Sequence, residues 1–97
     1  MEFLIKRTDG EWFSLHKDHF KGVLRPKTTR SEACEGEGDH RIKIPSGYVS
    51  FSFEDPGLHV VFEDYTGSRE EANQIVQEVL QNIEAFSKER GTVIELG

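Results

Sequence analysis

The sequence has one cysteine in 97 residues, Cys34, so no internal disulfide is possible. It has no apolar run long enough to span a bilayer, so no membrane helix is expected. The opening Met-Glu-Phe-Leu-Ile-Lys-Arg lacks the basic-then-apolar order of a secretory signal. Together these absences lead us to expect a cytoplasmic chain. Walker loops, dinucleotide fingerprints, nucleophile elbows and zinc-protease helices are also missing. Glu-Gly-Glu-Gly at 35–38 lacks the strand and helix that a phosphate loop requires. No catalytic residue and no cofactor are therefore assigned.

Basic charge is scarce in one half. Residues 1–48 hold nine Lys and Arg against eight Asp and Glu, whereas residues 49–97 hold three against ten. Phosphates would be repelled over much of such a surface, so no nucleic-acid partner is expected. A basic protein partner would be attracted by long-range steering.

Bulky apolar residues are present: seven Phe with Trp12, Tyr48 and Tyr65. The length suits one domain over 1–97 with a modest core. Glu2–Thr8 reads as a first strand, and its continuous run Phe3-Leu4-Ile5 implies partial cover on both faces. Asp9-Gly10 signals a turn into a second strand at Glu11–Phe13. Ser14–Gly22 either continues that strand or forms a short helix capped by Ser14.

Residues 25–40 are polar and interrupted by Gly36 and Gly38, so a long loop is expected, the most mobile internal segment of the chain. Arg41–Ile44 reads as a strand. Alternation then puts Val49, Phe51 and Phe53 on one side of a strand, and Leu58, Val60 and Phe62 on one side of the next. Asp55-Pro56-Gly57 turns the chain between them into an antiparallel hairpin.

Ser68–Arg90 is the clearest helix. Ser68 and Glu71 make a capping-box pattern, and Ala72, Ile75, Val76, Val79, Ile83 and Phe86 form one apolar stripe. Lys88 and Arg90 suit its last turn, and Gly91 suits a left-handed end. Thr92–Leu96 is a closing strand. The expected class is α+β: a largely antiparallel sheet of about five strands with one long C-terminal helix on one face, in the order β-β-(loop)-β-β-β-α-β.

The segments SFSFEDPG, VVFED, REEANQIVQEVLQNIEAF and VIEL within Ser50–Leu96 resemble small uncharacterised bacterial proteins carried in mobile gene cassettes. The resemblance covers about half the chain and brings no catalytic or binding residues with it.

His16 and His19, with Asp18 between them, would lie side by side if Ser14–Gly22 forms a helical turn. A metal would need further ligands from Cys34, Asp39 or His40, and nothing in the spacing supplies them, so no metal is expected. Cys34 lies among Glu32, Glu35 and Glu37, whose charge suppresses the thiolate that a nucleophile requires. Arg25, Lys27 and Arg30 are candidates for binding an acidic group, but no aromatic residue interleaves them for base stacking. On the helix, Asn73, Gln74, Gln77, Gln81 and Asn82 make an amide-rich outer face that tolerates desolvation. On the sheet face opposite the helix, Tyr48, Ser50, Ser52, His59 and Val61 form the leading candidate contact surface, with Glu54 and Glu63 at its margin.

The leading expectation is a small non-enzymatic protein-binding module, of inhibitor or immunity type, that docks a basic protein. The alternatives are a small enzyme or ligand carrier using the 25–40 loop, and a structural homodimer through the open sheet face.

Overall fold

Val49, Phe51, Leu58, Val60 and Phe62 project to one side of a hairpin and are buried there. In a computed structural model describing residues 1–97, that hairpin lies inside a six-stranded sheet. The elements are β1 (Glu2–Arg7), a short 3-10 turn (Lys17–His19), α1 (Phe20–Val23), β2 (Glu32–Ala33), β3 (His40–Ile44), β4 (Gly47–Glu54), β5 (Gly57–Glu63), α2 (Arg69–Ser87) and β6 (Gly91–Glu95). Every pairing is antiparallel, and the spatial order is β2-β3-β4-β5-β1-β6. The first strand therefore lies inside the sheet, between β5 and β6. The turn from β4 to β5 contains a cis peptide between Asp55 and Pro56.

Helix α2 covers one face. Ala72, Ile75, Val76, Val79 and Ile83 join Phe3, Ile5, Val49, Phe51, Leu58 and Val60 in a single core cluster. The start of α2 follows the capping pattern, with Ser68 Oγ accepting from the Glu71 N–H at 3.0 Å. The Glu71 carboxylate does not complete the reciprocal half. It lies 3.1 Å from Ser46 Oγ and 3.2 Å from the Tyr65 hydroxyl, tying the helix start to the β3–β4 turn. No helix is long and apolar enough to cross a membrane.

Several expectations need correction. No strand forms at Glu11–Phe13, because both edges of β1 are already taken by β5 and β6 and leave no place for a hairpin partner. Arg7 and Glu89 hold this segment instead. The Arg7 guanidinium donates to the Trp12 carbonyl, and Glu89 accepts from the Ser14 N–H and hydroxyl at 2.7 and 2.6 Å. Phe13 is buried without belonging to a strand. Ser14 is thus engaged elsewhere, and the helical turn after it is capped by His16.

The long helix ends at Ser87, not at Arg90, and Lys88 takes the left-handed position (φ 64°) expected of Gly91. Gly91 begins β6, where close approach requires a glycine: a Cβ there would lie 2.5 Å from Phe13 and 2.9 Å from Leu80. Phe86 is not in the core. It is 45% exposed, with its ring 4.5 Å from that of His19. The 25–40 segment is not one featureless loop, since Pro26 is buried and Glu32–Ala33 pair with β3 as a sheet edge.

Candidate functional site

Alternation puts the side chains of Tyr48, Ser50 and Ser52 on β4, and of His59 and Val61 on β5, opposite α2. The register brings them together as Ser50 beside Val61 and Ser52 beside His59, with Tyr48 beside Glu63. Next to them, β1 contributes Leu4, which pairs with His59 of β5 on one side and Ile94 of β6 on the other. Leu4 and Val61 are half-buried, while Ile94 and Leu96 are among the most exposed large apolar side chains in the molecule. The open face therefore has an apolar strip running from β5 across β1 to β6.

Charge is built into this face more deeply than at its margin. Ser50 is nearly buried and donates to Glu63 Oε1 at 2.7 Å, and Arg41 Nε reaches the same oxygen at 3.1 Å. The Arg41 guanidinium also lies 4.1 Å from the centre of the Tyr48 ring and donates to the Glu35 carbonyl. Ser50 and Tyr48 are thus engaged in an internal network centred on Arg41. His59 stands between two carboxylates, with Nε2 2.8 Å from Glu2 and Nδ1 3.3 Å from Glu54. Beside it, Leu4, Pro56 and Leu96 with Glu54, Asp55 and His59 line a shallow hollow. Its floor is apolar and one side is acidic, so it suits an aliphatic stem carrying a positive head group.

The loop cations do not converge. Arg25 and Lys21 border one hollow at the β2 edge, and Arg30 and Lys43 border another. Lys27 lies on α2, where its ammonium contacts Gln81 Oε1 at 2.9 Å. The start of the loop is clasped by the amide-rich helix face. The Asn82 side-chain amide donates to the Arg25 carbonyl at 2.7 Å, and Glu78 accepts from the Lys27 N–H, the Thr28 N–H, the Thr28 hydroxyl and the Gln74 amide. Burial pushes the Glu78 carboxyl up, but the donors on Thr28, Gln74 and Lys27 outweigh it and hold its pKa at about 2. Of the amide face, Gln74, Gln81 and Asn82 thus hold the loop, whereas Asn73 and Gln77 stay exposed.

His16 and His19 have their rings 6.2 Å apart, and His16 Nδ1 accepts from the Asp18 N–H. His40 lies between Phe20 and Phe51, where burial lowers its pKa. No three His, Cys, Asp or Glu side chains gather as a metal site would require, and Cys34 is exposed.

Sequence reasoning missed Leu4, Arg41, Ile94 and Leu96 as parts of the open face. The signals were present: Leu4 interrupts the alternation of β1, and Ile94 and Leu96 alternate along the closing strand. No family model matches this chain, and neither a curated protein nor a solved structure matches it.

Proposed function

We propose that this chain is a small non-enzymatic module that binds another protein through the open face of its sheet. The observation that carries the reading is the hollow of Leu4, Pro56 and Leu96 bordered by Glu54 and Asp55. Exposed apolar surface rimmed by charge of one sign is the pattern of a contact site, and it selects a partner of opposite sign. The favoured partner is a basic protein that lays a Lys or Arg side chain along the hollow. The acidic character is local. Glu63, Glu89 and Glu95 are paired with Arg41, Arg7 and Arg69, and Glu78 is committed to the loop. Asp55 and Glu54, the latter 3.3 Å from His59, lie at the solvent edge of the face.

Affinity capture from the source cells tests this with a Glu54→Lys, Asp55→Lys variant, whose substitutions lie on an exposed turn. The native protein is expected to retain one protein partner in stoichiometric amount, and the variant is expected to lose it. Equal capture by both proteins, or capture of none, would count against the reading.

A further inference from the structure

We propose that a second copy of this chain pairs along β6, antiparallel and about a two-fold axis at Val93, so that the two sheets become one. This contact is separate from the open face and does not rest on the function proposed above.

Hydrogen bonds from β1 alternate between its neighbours: the Phe62 N–H donates to the Met1 carbonyl, whereas the Leu96 N–H donates to the Glu2 carbonyl and the Thr8 N–H to that of Arg90. The same alternation turns Thr92 and Ile94 toward β1, and turns the N–H and C=O groups of Val93 and Glu95 outward. Strand β6 ends the sheet, so those groups meet no further strand. The strand contains neither Pro nor Lys, and its register with β1 is unbroken, so two of the usual protections of an edge are missing, and its one charged residue, Glu95, is neutralised by Arg69. Only the Gly91 N–H is occupied, by Glu84 Oε2 at 3.0 Å.

Side chains on α2 point to the occupant. The flank beside β6 carries Arg69, Asn73, Gln77 and Glu84 at helical spacing. Arg69 binds Glu95 at 2.6 Å near the end of the strand, and Glu84 binds Gly91 at its start, so α2 runs opposite to β6. Asn73 and Gln77 lie between these anchors, both exposed, while Gln74, Gln81 and Asn82 are engaged with the loop. A two-fold axis at Val93 sets each flank beside its own copy in reverse. The end bearing Arg69, Glu70 and Glu95 then faces the end bearing Glu84 and Lys88, so that Arg69 comes opposite Glu84 of the other copy and Glu70 opposite its Lys88. Asn73 and Gln77 meet near the axis, where amides can both donate and accept. A strand from an unrelated protein would satisfy the main chain of β6 but would not bring this reciprocal pattern. Closed two-fold pairing is also the commonest form of self-association.

Size-exclusion chromatography with light scattering at high concentration tests the proposal. The native protein is expected to run at the mass of two chains. Val93→Pro removes an outward N–H, together with a side chain packed on the core, and is expected to yield monomers. Because Val93 is half-buried, Asn73→Glu with Gln77→Glu on the exposed flank provides a second variant, also expected to be monomeric while keeping the circular dichroism of the native fold. Val61→Lys on the open face should remain dimeric. A monomeric native protein would overturn the proposal, including one that gains mass only on binding a different chain. So would a dimer that withstands the Asn73→Glu, Gln77→Glu pair, or one broken only by Val61→Lys.

Discussion

Replacing Phe51 with Ala is expected to destabilise the fold by about 3–5 kcal/mol, the range for deleting a large buried aromatic side chain. Phe51 has no exposed surface and lies in β4, near the middle of the sheet, within the cluster that includes Val60 and Ile83. The sheet around it is held by ladders on both sides, with His40 opposite on β3 and Val60 opposite on β5. The neighbours therefore have little freedom to collapse into the space left behind. A loss of this size is a large share of the roughly 5–15 kcal/mol that stabilises a typical domain. Ile83→Ala should cost about 2–5 kcal/mol for the same reason. Phe86→Ala, on the same helix but 45% exposed, should cost clearly less. Urea denaturation of the three variants checks the order. A Phe86 variant as damaged as the Phe51 variant would mean that the helix is rotated from the face described.

Glu78→Ala is expected to cost about 2–4 kcal/mol, because it removes an ionised acceptor shared by several donors. The Lys27 and Thr28 N–H groups, held at 2.7 and 3.0 Å, would lose their partner, and the loop start would detach from α2. Amide exchange at Lys27 and Thr28 should then accelerate, while exchange in the centre of α2 slows or speeds only with global stability. The carboxyl has a lower pKa folded, about 2, than its ordinary value of 4.5. Its contribution is therefore fully present above the ordinary value and is lost as pH falls from about 4.5 toward about 2. The stability gap between the native protein and Glu78→Gln should narrow across that window. A gap that stays constant with pH would show that Glu78 is not held as an ion by the loop.

These residues also show where sequence reading succeeds and where it stops. The β4–β5 hairpin and α2 were legible because each carries its own period, two for the strands and 3.6 for the helix, and each period fits a one-sided core. The same alternation brought Tyr48, Ser50, Ser52, His59 and Val61 to one face. What depends on distant partners was not legible. Glu11–Phe13 has strand-like composition, but β1 has no free edge to receive it. Phe86 continues the apolar stripe, yet stays exposed and meets His19 instead. The 25–40 segment looked mobile because it has little to bury, and its start is held by helix side chains far away in sequence, Asn82 at Arg25 and Glu78 at Lys27 and Thr28, the last 50 residues apart. A Glu three residues after Ile75, at the border of the stripe, was the available hint: a carboxylate placed there needs donors. Ser50 looked like a free surface serine. Its burial against Glu63 makes Ser50→Lys unsuitable as a probe of the open face, whereas Val61→Lys leaves that network intact.

The central claim is that partner recognition belongs to the open sheet face around Leu4, His59 and the β4–β5 turn. Residue-resolved amide exchange of the protein, alone and saturated with its captured partner, tests it most directly. The account predicts new protection along Glu54–Val61 and at Glu2–Lys6, with Arg25–Arg30 unchanged. Protection confined to Arg25–Arg30 and the neighbouring side of α2, with the open face exchanging as in the free protein, would contradict it.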